Sequence, residues 1–461
     1  MIDPRTDTVV ERALARFDAT VAQLSEFLSI PAISCQADHA PDVARMAERV
    51  ADTLSAMGLD AQVHTLPDAH PMVAASWLGA GVEKPTVLIY GHFDLQPVDE
   101  PEWIGDPHTP VTREGRLYAR GSADDMGGWV GHLAALKAWL DETGGLPCNV
   151  RLVIEGEEEI GSPHLEAYMD AVPDAFAADV MVLTDCENPS TEIPGLTVSL
   201  RGLMEVTLTV EALAGDVHSG LFGNMLPDVS TALCQLVARL VDANGRPHAS
   251  LLADVPAPWS AGSGGLVDAD LLRRGGALLP GLALLPEEGR SAAEWLWRQP
   301  AITVVATTLP RPEAKKNALR ARATATLSVR LGPGQTAPWM VERLTGLLTK
   351  DPPGGVRVLV KATKEGESWL YTPRGPAFEA ADRAYTAAWG RPLARVGLGG
   401  SIPFVALFGR RFADLPLILN GVLDPESSAH GPNESMDLGV FRKAIHANVR
   451  LLAELGALPR G

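Results

Sequence analysis

The chain of 461 residues has only four cysteines, Cys35, Cys148, Cys186 and Cys234, and no two of them stand in CxxC spacing. Scattered thiols give neither a disulfide framework nor a thiolate zinc site, so they read as buried free thiols. Positive charge is also short: 39 lysines and arginines face 57 aspartates and glutamates, for a formal net charge of -18. A surface so acidic repels phosphate backbones and anionic lipid, which argues against nucleic acid and membrane partners. No apolar run approaches the roughly 20 residues of a spanning helix. The start MIDPRTDTVVERALARF carries charges where a secretory leader needs an apolar stretch. A cytoplasmic location is the expectation. Internal repeats and low-complexity tracts are lacking as well.

Hydrophobic residues make up 46% and charged residues 21%, as in an ordinary globular protein. The length exceeds what one core usually supports, so two domains are expected. RALARFDATVAQLSEFLSIPAIS carries Leu14, Phe17, Val21, Leu24 and Leu28 at helical spacing and predicts one amphipathic helix ending at Pro31. The runs TVLIY, NVRLVIE and DVMVLT read as buried strands, with GGWVGHLAALKAWLDE as a helix between the first two. From Arg201 the pattern changes to alternating strands such as MEVTLTVEA and ATATLSVRL, with a Gly- and Pro-rich stretch around 255 to 290. After Tyr371 helix and strand return in FEAADRAYTAAW and LPLILN, before a last amphipathic helix. The expected fold is α/β: a catalytic domain with a mostly parallel sheet flanked by helices (1–200 and 372–461), interrupted by an inserted α+β lid domain (201–371).

Acidic and imidazole groups gather just past the strand ends. TVLIY runs into His92 and Asp94, NVRLVIE into Glu157, Glu158 and Glu159, DVMVLT into Asp185, and LPLILN is followed by a loop with His430. In open α/β sheets, sites form in the crevice beyond the carboxyl ends of the strands. Each residue alone suits a hydrogen-bonded loop or a solvated turn. Together they crowd carboxylates that repel one another, and a cation neutralises them. His, Asp and Glu without Cys suit a hydrolytic divalent metal site.

The segments GHFDLQPVDEPEW, GRLYARGSADDMGG, IEGEEEIGSPHL, LTDCE, DVHSGLFG, GGSIP and SSAHGPNE occur in this order. In this the chain resembles the aminoacylase and carboxypeptidase clan of di-zinc metallopeptidases, and within it the carnosinase-type dipeptidases, over nearly its whole length. The resemblance implies that His92 and Asp185 hold one metal, Glu159 and His430 the other, and that Asp124 bridges both. It further implies a cis peptide after Asp124, Asp94 orienting the His92 ring, and Glu158 as general base. Glu157 would take the base role if the triplet were read one residue earlier. His218 would stabilise the oxyanion, reaching the other subunit's site in a homodimer formed through the lid. Arg330, with the loop of Gly400 and Ser401, would grip the substrate carboxylate. Two divalent ions per subunit are implied, with zinc the default for such ligands and manganese also admitted.

The chain departs from the family pattern at Met126, where relatives carry lysine, at His108, where a phenylalanine is common, and at NALRARA, which brings Arg320 and Arg322. The implied reaction is hydrolysis of the amide bond in a small peptide or acyl-amino-acid substrate with a free carboxylate. Dipeptidase activity leads, because the insert is long. The alternatives are a carboxypeptidase, an N-acyl-amino-acid or succinyl-diamino-acid amidohydrolase, and a non-catalytic binding relative. The last has no need of both a base and an intact ligand cage.

Overall fold

The computed structural model describes residues 2–99, 101–254, 266–276, 278–285, 289–400, 403–412 and 415–460. Its central sheet has six strands in the order Asp60–His64, Met72–Trp77, Asn149–Glu155, Thr86–His92, Val180–Leu183 and Leu417–Leu419. The last four run parallel. The first two run antiparallel to their neighbours, so the sheet is mixed where a mostly parallel one was expected. The reason is local. Only a short loop joins Asp60–His64 to Met72–Trp77, and a parallel pair needs a crossover of a dozen or more residues.

From Thr86–His92 the chain passes through the helix Met126–Thr143 to Asn149–Glu155 on one side, and later to Val180–Leu183 on the other. Strand order therefore reverses beside Thr86–His92. That places His92, paired with Glu155 at the strand end, at the point where α/β sheets open a crevice. The strand is buried along its length, and Met126–Thr143 is buried nearly all round, which matches its apolar run.

The single helix expected near the start is two, Thr6–Ala15 and Phe17–Leu28, broken at Arg16 with φ −97° and ψ 10°. The break lets Val9 and Ala13 on one side, and Leu24, Phe27 and Leu28 on the other, reach the same core. Between Gly202 and Gly366 the chain builds a four-stranded antiparallel sheet in the order Ala301–Thr307, Arg322–Leu331, Gly202–Glu211 and Arg357–Gly366. Alternate residues of its inner strands, including Met204, Val206, Leu208, Ala325, Leu327 and Val329, are buried under the helices Val229–Ala238 and Ala337–Thr349. A three-stranded sheet of Trp369–Leu370, Gly195–Leu200 and Ala394–Leu398 leads out to Gly399 and Gly400. Among the described residues no helix is long and apolar enough to cross a membrane.

Candidate metal centre

Two groups of donor atoms close to within 4.8 Å of one another at the sheet's carboxyl end. One is His92, Asp124 and Asp185; the other is Asp124, Glu159 and His430. Asp124 belongs to both, with Oδ1 3.1 Å from His92 Nε2 and Oδ2 3.0 Å from His430 Nε2. His430 Nε2 also lies 3.3 Å from Glu159 Oε2. Its loop turns sharply enough to put His430 in the left-handed region at φ 61°, a conformation non-glycine residues adopt at few positions. His92 is fully buried, Asp124 nearly so, and His430 is exposed.

The electrostatics of the cluster are those of crowded negative charge. Burial, then neighbouring carboxylates, drives Asp185 and Glu158 well above the usual carboxylate range. Hydrogen bonds to Asp124 and Glu159 hold the His430 imidazole up to about 11. Burial opposes the charge of Asp124, but bonds to His430 and His92 outweigh it and lower its pKa. Carboxylates and imidazoles that share one oxygen-bearing residue fit two divalent ions, whose charge would offset both repulsion and desolvation.

The surroundings fix these groups one by one. The Asp94 carboxylate accepts the backbone N–H of Glu158 at 3.1 Å and of Glu159 at 3.0 Å. It thus sets the turn that presents both glutamates. The Nδ1 of His92 lies 3.1 Å from the Asp94 backbone oxygen and 3.4 Å from its carboxylate. Gln96 donates to Glu159 Oε2 at 2.7 Å. The peptide bond between Asp124 and Asp125 is cis. Asp125 points away from the donors and accepts from the His92 N–H at 3.2 Å and Thr184 Oγ1 at 2.7 Å. Gly91 and Gly128 leave room for it: a Cβ at either would come within 2.5 and 2.2 Å of its carboxylate oxygens.

Glu434 had no assigned role in the sequence reading. Its oxygens accept from the N–H groups of Gly121, Ala123 and Asp124 at 3.0 to 3.1 Å and from Arg120 Nη1 at 2.8 Å. A fully buried carboxylate therefore holds the loop that aims Asp124. The available signal was its place in SSAHGPNE, four residues after His430. Glu157 faces away from the donors, accepting from the His70 N–H at 2.9 Å and pairing with His164 Nδ1 at 3.0 Å.

The remaining expected residues lie apart from the donors. His218 is exposed and its Nδ1 accepts the Gly220 N–H at 3.1 Å; among the described residues, no hydrogen bond or ion pair joins it to the metal groups. Its turn is tied by Asp216, which takes the Ala321 N–H at 3.0 Å and pairs with Arg320 at 3.2 Å. That gives the NALRARA departure a structural task. Arg330 is half-buried near the end of Arg322–Leu331, where its charge, after burial, lowers the neighbouring Arg201 to about 10. Arg201 Nε donates to the Gly399 oxygen at 2.8 Å and so holds the loop that continues to Gly400. Ser401 lies outside the described residues. Met126 is fully buried, where a lysine would place an ammonium in the core. His108 is half-buried, and burial lowers its pKa.

A strand-end crevice holding two donor sets that share one carboxylate is the architecture of a two-metal hydrolase. The chain belongs to peptidase family M20/M25/M40, whose model matches residues 88–454. It is 33% identical to a cysteinylglycine-S-conjugate dipeptidase of Corynebacterium striatum over 94% of this chain and 95% of the relative. It is 28% identical to the β-Ala-His dipeptidase of Rattus norvegicus over 96% of this chain and 94% of the relative. Among solved structures, human carnosine dipeptidase 1 superposes with a TM-score of 0.81 at 23% identity, covering 99% of this chain and 100% of that one.

Proposed function

We propose that the chain is a metal-dependent dipeptidase that cleaves the amide bond of small peptides with a free carboxylate. The observation that carries this reading is the pair of donor sets sharing Asp124, with Glu158 beside them. Dipeptidase relatives matched along nearly the full length support the substrate class. His92 and Asp185 would hold one ion, Glu159 and His430 the other, and Asp124 both. The ions, zinc by default for this donor set, would supply a water deprotonated near neutral pH.

Glu158 takes the proton of the attacking water and passes it to the departing amine. Its backbone is fixed by Asp94. Glu157 is occupied by His164 and His70, which supports placing the base one residue later. Arg330 and the backbone at Gly400 hold the substrate carboxylate, a task suited to a planar guanidinium. The segment 201–371 acts as a lid and dimer module. Exposed Leu221, Phe222 and Met225 beside His218 support a homodimer in which that histidine serves the partner's site.

The test is hydrolysis of a panel of dipeptides, longer peptides and N-acyl amino acids by the metal-loaded protein, before and after chelation. Cleavage confined to dipeptides, two ions per subunit by elemental analysis, and loss of activity in chelator are expected. Preference for acyl amino acids, or full activity in chelator, would overturn the reading.

A further inference from the structure

A cavity of about 220 Å³ has Trp297, Leu296, Leu272, Val396 and Pro425 among its described walls. Three of its walls adjoin the site along the chain. Glu187 lies two residues past Asp185, Gly397 two before Gly399, and Pro425 five before His430. The walls are closely fitted. Trp297 packs against Gly397 so tightly that a Cβ there would approach its own Cβ to 2.5 Å. Next to Glu187, Asn188 donates to the backbone oxygens of Gly421 at 3.0 Å and Leu423 at 3.1 Å and accepts the Gly195 N–H at 2.9 Å, which fixes the course of this loop.

Among the described lining residues only Glu187 and Asp268 are charged, and both are acidic. Asp268 is exposed and takes the Asp270 N–H at 2.7 Å. The Glu187 carboxylate is half-buried and has no hydrogen-bond or ion-pair partner among the described residues. A carboxylate set into an apolar wall gains most from a cation that arrives on an apolar stem, because the stem covers the wall while the head meets the charge.

We propose that this cavity is a subsite for one side chain of the substrate, and that Glu187 selects a chain ending in a primary ammonium, as in lysine or ornithine. The proposal rests on the peptidase reading above. Position in the dipeptide is read by the test, which uses the metal-loaded full chain with Lys-Gly and Gly-Lys against norleucyl-glycine and glycyl-norleucine. Norleucine keeps the stem and loses the charge.

At one of the two positions kcat/KM for the lysine peptide should exceed that of its norleucine counterpart by about tenfold to a hundredfold. Glu187→Gln should remove that ratio while leaving the norleucine peptide within about twofold, since only the charged contact is lost. Leu272→Phe, which fills the cavity, should slow both long side chains relative to Gly-Gly. No preference at either position, or equal losses on lysine and norleucine peptides in Glu187→Gln, would overturn the subsite. If the wild type cleaves no dipeptide at all, the functional reading fails separately. Calorimetric binding of the same peptides then decides the subsite: weaker lysine-peptide binding in Glu187→Gln keeps it, and unchanged binding removes it.

Discussion

The crevice at the sheet end and the segment that carries His218 and Arg330 are built on opposite plans. In the crevice four of the chemical groups are held by other groups of the same chain: Asp94 fixes Glu158 and Glu159, Glu434 fixes Asp124, and Asp125 fixes His92. These supports are buried, so they act in a medium where hydrogen bonds to charge are strong. His218 instead stands exposed on a turn held by Asp216, close to exposed Leu221, Phe222 and Met225. The first region is preorganised by its own packing, and the second presents groups to whatever comes against it.

The comparison breaks first at the base. Glu158→Gln should retain the ions and lower turnover by about 10² to 10⁴, the usual worth of a positioned proton acceptor. Glu157→Gln should leave turnover close to wild type and cost stability instead, because its bonds are to His70 and His164. Steady-state kinetics with elemental analysis checks both, and the reverse pattern would move the base by one residue. Next in size is the buried support. Glu434→Ala leaves the Arg120 guanidinium and three N–H groups without their acceptor, and removing one partner of a buried pair costs about 3 to 5 kcal/mol. Denaturant unfolding should register that loss.

A smaller effect tests burial beneath the crevice. Glu155, hydrogen-bonded to Tyr90 and Ser162, is pushed up to about 7, mainly by burial and secondarily by the charge of Asp94. An acid with a raised folded pKa keeps its proton when the unfolded chain has lost it. Its cost to stability is absent below the ordinary glutamate value near 4.5, grows as pH rises through about 7, and is complete above that. Thermal unfolding of wild type between pH 5 and 8 should therefore slope downward, and Glu155→Gln should flatten the slope. A variant with the wild-type slope would remove Glu155 as its source.

The smallest effects should come from the segment that carries His218 and Arg330. Arg330→Ala is expected to raise KM about tenfold to a hundredfold for substrates with a free carboxylate, with kcat little changed, because that charge is present before reaction. His218→Ala should lower kcat more than it raises KM, since the oxyanion charge it would meet develops only in the transition state. If His218 serves the partner's site, mixed dimers of His218→Ala and Glu158→Gln should recover activity. Confirmed mixed dimers without recovery would return His218 to its own subunit.

Much of the crevice was legible along the chain because His92 and Asp185 each follow an apolar strand. Val87, Leu88, Ile89 and Tyr90 are buried just before His92, and Val180 to Leu183 just before Asp185. A run of strand-forming residues ending in polar ones states locally where the strand stops and the crevice begins. The split at Arg16 and the antiparallel edge were missed because periodicity carries no register or partner. Nothing local distinguishes Glu157 from its neighbours, and His70, which turns it away, is 87 positions distant.

By itself, then, the sequence determined an acidic α/β chain without apolar runs of membrane length and set His92 and Asp185 just past strand ends, since composition and short-range patterning act within a few residues. Tertiary structure alone decided which carboxylates converge, that Glu434 would cradle Asp124 from 310 positions away, and that Glu187 would line a cavity with Trp297. Those outcomes depend on contacts between segments far apart in the chain, which become neighbours only when burial of the core brings the strand ends together.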